Sequence, residues 1–139
     1  MKSKTIVRLI TSIILFLCGC NFYGDIDLGD GYYLWRDGRY KEISYRPSQG
    51  KNNQSYSLMH KNVSSYSFSD SAIFITSVRY LKNDKKSTEY YMIKKQKSLL
   101  DECVNNNQIN SIVNSIVIPV KDSASFYAIL KRQQLQLKQ

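Results

Sequence analysis

The chain has 139 residues, a formal charge of +9, three cysteines and one histidine. That length holds one domain with one core rather than two. One histidine excludes a two-histidine zinc site, and no glycine-rich phosphate loop or nucleophile elbow occurs, so neither an enzyme nor a bound metal or cofactor is expected.

In chain order, Lys2, Lys4 and Arg8 form a basic start and Ile10 to Leu17 a short apolar run. A membrane span takes roughly 20 apolar residues, and this run is shorter, so it reads as the apolar part of a secretory signal. Leu17-Cys18-Gly19-Cys20 closes it and resembles the bacterial lipobox, in which a small residue precedes the cysteine that is lipidated and becomes the new N-terminus. The expected division is a signal over residues 1–19, a lipidated Cys20 with a tether to residue 30, and one domain over 31–139. Asn21 in place of aspartate after that cysteine resembles the sorting rule for outer-membrane delivery, if the cell has an outer membrane. Removing Lys2, Lys4 and Arg8 lowers the formal charge from +9 to +6. The remaining lysines are scattered along the chain. Export makes nucleic acid an unsuitable partner, and the residual charge fits a weak attraction to anionic headgroups or acidic glycans.

Asn21 to Asp30 is polar, with Gly24 and Gly29, and reads as the tether. Its Asp25-x-Asp27-x-Gly29 spacing lacks the ligands of a calcium loop. Tyr32 to Trp35 is strand-forming, and Asp37-Gly38 before Tyr40 to Arg46 signals a hairpin with a type I′ turn. Pro47 ends it. Ser57 to Phe68 holds one or two short strands. Ser71 to Leu81 is rich in β-branched and aromatic residues, and Thr88 to Lys94 returns after a lysine-rich turn as a second hairpin.

The period then changes. Leu99, Leu100, Cys103 and Val104, and then Ile109, Ile112, Val113, Ile116 and Val117, are spaced for two helices, with Pro119 breaking the second. Asp122 or Ser123 caps a last helix carrying Phe126, Tyr127, Ile129 and Leu130, and Lys131 to Gln139 reads as its solvated end. Two hairpins followed by helices predict an α+β fold, an antiparallel sheet with the helices packed on one face. Cys103 reads as a buried thiol on a helical face, far in sequence from His60.

The run Gly24 to Leu34 directly after a lipobox cysteine resembles the start of a family of small bacterial lipoproteins of unknown function. Ser71-Ala72-Ile73-Phe74-Ile75 and Glu89-Tyr90-Tyr91-Met92-Ile93-Lys94-Lys95 are similar to the middle of that family, and Phe126 matches the phenylalanine of its final helix. The segment Lys97 to Val117 departs from it. The resemblance implies an envelope location and a small α+β domain, and it brings no catalytic residue.

Tyrosine is the compositional excess, with eleven, beside the single Trp35. Tyr32, Tyr33, Trp35 and Tyr40 fall on one hairpin and are the candidate ligand contacts, because such rings offer a rigid apolar face and a polar tip. The alternative is that they pack across strands as core. The expected role is a non-enzymatic, membrane-anchored binding domain in the cell envelope. A glycan-binding accessory lipoprotein and an inhibitor or immunity-type protein docking on an exported enzyme are the rivals. Asp70-Ser71-Ala72 and Asp122-Ser123-Ala124 also match a short glycosylation triplet of exported proteins.

Overall fold

The computed structural model describes residues 24–48, 55–59, 61–82, 85–102 and 106–139. Cys20, His60 and Cys103 lie outside the described residues, and with them the signal, the lipidation site and the thiol.

Among the described residues eight strands form two antiparallel sheets of four rather than one sheet of two hairpins. Sheet A runs in the order β1 (Ile26–Gly29), β2 (Tyr32–Asp37), β3 (Tyr40–Tyr45) and β4 (Tyr56–Met59). Sheet B runs β5 (Val63–Phe68), β6 (Ala72–Tyr80), β7 (Lys86–Lys94) and β8 (Val117–Val120). The helices are α1 (Lys97–Asp101), α2 (Asn106–Ile116) and α3 (Ser123–Arg132).

Part of the expected tether is a strand. Ile26 pairs with Leu34, the register shifts between Asp27 and Gly29, and Leu28, on the same face as Ile26, is fully buried in the core. The turn that follows is Asp30-Gly31, with φ of 58° and 84°. Two successive positive φ values are the signature of the type I′ hairpin turn. At the next turn, between paired Asp37 and Tyr40, only Gly38 has positive φ (59°), and it occupies the first loop position. That is the type II′ pattern, so the I′ turn expected there occurs one hairpin earlier.

Sheet B is covered on both faces. Ile73, Ile75 and Ile93 join Leu34, Ile43, Tyr45, Leu100 and Ile116 in the main core, between the two sheets and under α1 and α2. On the opposite face Ala72 and Phe74 pack against Phe126 and Leu130 of α3. The helices therefore lie on opposite faces of this sheet, which corrects the one-face expectation. The reason is in β6: Ala72 to Ser77 are all buried, without alternation, so both of its faces need cover.

Asp122 caps α3 by accepting a hydrogen bond from the Ser125 N–H at 2.8 Å. The chain beyond α3 does not continue as a solvated helix. Lys138 exchanges backbone hydrogen bonds with Tyr66 (2.8 and 2.6 Å) and covers part of the outer edge of β5. Val117 to Val120 is a strand rather than a helix end, pairing Pro119 with Tyr91 on the edge of sheet B, where a residue without N–H is tolerated.

Candidate functional surface

Strand alternation divides the four candidate aromatics. In β2 and β3, Tyr32, Leu34, Ile43 and Tyr45 point inward, and Tyr33, Trp35, Glu42 and Ser44 point outward. Tyr32 is fully buried, edge-to-face with Tyr45 at 4.9 Å, and its hydroxyl accepts from the Gln96 N–H at 2.8 Å. Burial raises its pKa. The structure places Tyr32 in the core. Tyr33 faces outward but is only 7% exposed. The Arg46 guanidinium lies over its ring, 4.8 Å from the centroid, and pairs with Asp25 at 3.3 Å. Tyr33 is therefore packed under that arginine with little of its surface accessible.

Trp35 and Tyr40 remain accessible, at 37% and 38%. They sit on neighbouring strands, with edge-to-face rings 6.2 Å apart. Trp35 is paired with Glu42, and the Tyr40 hydroxyl donates to the Glu42 carboxylate at 3.3 Å, so this acid fixes the tyrosine tip beside the indole. Burial is the first cause of the raised Tyr40 pKa, with the adjacent Glu42 charge second. At the β1–β2 turn, and not lined by Trp35 or Tyr40, is a cavity of about 420 Å³ whose lining includes Asp25, Asp27, Asp30, Tyr32, Tyr33 and Arg46. The outer face of sheet A thus offers two aromatic rings, carboxylate acceptors and one arginine donor. That set can stack on a ring and hydrogen-bond its hydroxyls or amides.

Arg46, Asp25 and Glu42 were not legible as site residues, because only the register of β1 to β3 and the fold-back of Arg46 bring them beside the aromatics. A second polar cluster also depends on pairing across strands. Lys61 donates to Glu89 at 2.5 Å and to the Tyr91 hydroxyl, and Arg79 approaches Glu89 at 3.6 Å. Hydrogen bonds from Lys61 and Tyr91 hold the Glu89 carboxyl below its usual range, and the same Lys61–Glu89 bond raises the lysine. The cluster is an ion-pair network with each carboxylate oxygen already engaged.

Among the described residues no group of three or more His, Cys, Asp and Glu side chains is placed to hold a metal ion. No described helix is long and apolar enough to cross a membrane. Ser71 and Ser123 are both exposed, and Asp122 of the second triplet is engaged as the helix cap. Comparison with protein-family models, with curated proteins and with solved structures finds no match to this chain.

Proposed function

We propose that this protein is an exported lipoprotein, tethered through Cys20, whose domain binds another component of the cell envelope and catalyses no reaction. The anchor reading is supported by the basic start, the short apolar run and the Leu17-Cys18-Gly19-Cys20 closure. The resemblance of Gly24 to Leu34 to small bacterial lipoproteins agrees with it. The observation that carries the binding reading is the Trp35–Tyr40 pair, two accessible rings held edge-to-face on the outer face of sheet A and flanked by Glu42. Exposed aromatics of this kind anchor recognition surfaces.

A glycan ligand is the second reading. It is favoured by the carboxylates beside the rings, since a sugar presents a flat apolar face and a rim of hydroxyl donors to such a set. Trp35 is the only tryptophan in the chain, so its emission reports directly on this surface. Titration of the purified protein with envelope polysaccharide, and separately with detergent-solubilised envelope protein, distinguishes the two ligands. Binding that shifts Trp35 emission, and is lost in Trp35→Phe with Tyr40→Ala when followed by sedimentation, supports the reading. Equal binding by that double variant removes the aromatic pair from the function. Mass spectrometry of wild type and Cys20→Ala checks the anchor: the wild type should carry the diacyl mass and the variant should not.

A further inference from the structure

The lysines and arginines that look scattered in sequence gather in space. Gly24, where the described chain begins, accepts a hydrogen bond from the Arg36 Nε at 2.9 Å, and Arg36 precedes the β2–β3 turn that carries Arg39. Three residues separate Cys20 from Gly24, and the four chain steps between them reach at most about 14 Å. The Lys41 N–H, just past that turn, donates to the Asn62 side chain at 3.0 Å. Asn62 shares a cleft of about 290 Å³ with Lys61, Val78, Arg79 and Glu89. Arg79 leads directly into the tip of the β6–β7 hairpin, where Tyr80 and Leu81 are 71% and 44% exposed. Lys82, Lys85 and Lys86 surround them, with the Lys86 ammonium 5.4 Å from the Tyr80 ring centroid.

These contacts make one continuous band from Gly24 to the hairpin tip. It holds eight of the seventeen basic residues of the chain after Cys20. Against them stand Asp37, Glu42 and Glu89, and Asp84, which lies outside the described residues. The band therefore carries +4 of the +6 of the mature chain. Glu89 is taken up by Lys61 and Arg79. Arg39, Lys41, Lys82, Lys85 and Lys86 have no acidic partner among the described residues.

We infer that this band docks the domain on the anionic headgroups of the leaflet that holds its own lipid anchor, with Tyr80 and Leu81 entering the interface. Three observations select a lipid surface. The net charge is opposite in sign to that of phosphatidylglycerol or cardiolipin headgroups. The exposed apolar residues sit within the lysines, so one contact buries both kinds of group favourably, as in interfacial anchors. The band also begins at Gly24, which is at most about 14 Å of chain from Cys20. Each basic residue near an anionic surface raises the docked fraction about fivefold, so the three tip lysines account for a factor of about 100 in the docked-to-undocked ratio.

The inference rests on the anchor reading, and the test separates the two. The lipidated full chain carrying Trp35→Phe and Leu81→Trp has its single tryptophan at the tip. It is reconstituted in vesicles containing bromine-labelled lipid, with either phosphatidylglycerol or phosphatidylcholine as the bulk lipid. Strong quenching is expected in the anionic vesicles and weak quenching in the zwitterionic ones. About 0.5 M salt, which shortens the screening length to roughly 4 Å, should remove the difference, and so should Lys82→Glu, Lys85→Glu and Lys86→Glu together. These changes are on an exposed turn, and an unchanged thermal transition confirms that the fold is kept. Equal quenching in both vesicles, indifferent to salt and to charge reversal, overturns the docking. Binding of a soluble acidic polysaccharide at the tip without lipid quenching overturns the lipid assignment in favour of a glycan. If mass spectrometry finds no diacyl group, the anchor reading fails, and sedimentation of that unanchored protein with the same two vesicle types then decides the band alone.

Discussion

The Tyr45 hydroxyl donates a hydrogen bond of 2.7 Å to the Asp101 carboxylate and so ties β3 of sheet A to α1. Ser48 adds two more bonds to the same carboxylate, from its N–H at 3.1 Å and its hydroxyl at 2.8 Å. Burial pushes the Tyr45 pKa far up, and the neighbouring carboxylate raises it further. Burial also acts to raise Asp101, but the bonds from Tyr45 and Ser48 outweigh it and hold the carboxyl below the ordinary value of 3.8.

A depressed folded-state pKa means that Asp101 stabilises the fold at any pH above its unfolded value. That contribution is lost as pH falls through the lower folded value, so the sensitive window lies below about pH 4. Asp101→Asn should therefore lower the urea midpoint at pH 7, and the gap from wild type should narrow toward pH 3. A gap that is constant between these two pH values would show that the charge on Asp101 is irrelevant to the β3–α1 connection.

Gly31 and Gly38 both have positive φ but differ in surroundings. A Cβ on Gly31 would lie 2.6 Å from the Arg46 carbonyl oxygen, whose own residue donates its N–H to the Gly31 carbonyl at 2.8 Å. A Cβ on Gly38 meets nothing within 4 Å. Gly38→Ala should cost only the backbone strain, about 1 kcal/mol, and Gly31→Ala roughly 3 kcal/mol, since strain and a backbone clash add. Equal losses in chemical denaturation would mean that the close approach at Gly31 relaxes freely.

Phe126 is fully buried, with Phe74 at 6.2 Å and Tyr90 at 5.1 Å between ring centroids. It is the chief attachment of α3 to sheet B. Phe126→Ala should destabilise by about 3–5 kcal/mol. Hydrogen exchange should quicken first in α3, ahead of sheet A, because the small second core is separate from the main one.

Trp35→Ala and Tyr40→Ala remove rings that are more than a third exposed and that contact each other across strands. Each should lower stability by about 1 kcal/mol or less while removing ligand binding. A large loss of stability in either variant would assign the pair to the fold instead of to recognition.

Deleting residues 135–139 removes the Tyr66–Lys138 backbone pair and bares that part of the β5 edge. The truncated protein should self-associate more readily than the full chain, which sedimentation velocity reads directly, because an unpaired edge is a template for another strand. An unchanged sedimentation coefficient at matched concentration would show that the tail does not guard this edge.

Two hairpins were legible in the sequence because their signals are local. Asp37-Gly38 lies between strand-forming runs, and Ser71 to Leu81 carries a dense β-branched and aromatic pattern. That strand is buried on both faces from Ala72 to Ser77, which the reading of one covered face missed and which separates α3 from α1 and α2. The Asp30-Gly31 turn carried the same local signal as Asp37-Gly38, but the polar residues before it read as tether. Leu28 enters the core because β1 pairs with β2, and that pairing is not written in the polar residues around it. Val117 to Val120 and the Leu135 to Leu137 region were opaque for another reason. Short segments of this kind acquire extended structure when an edge strand offers unpaired N–H and C=O groups, and that edge exists only once sheet B has formed.

The candidate surface divides the same way. Composition and order along the chain established the excess of tyrosine, the strand-then-helix sequence and the cap at Asp122, since each is read from composition or from residues within a few positions of one another. The tertiary structure decided which tyrosines are core and which face solvent, because a strand's two faces are distinguished only by what packs on them. It also decided that Arg46 covers Tyr33 and that dispersed lysines and arginines form one charged band. Charges far apart in sequence act together only when strand pairing and the Lys41–Asn62 hydrogen bond place them side by side.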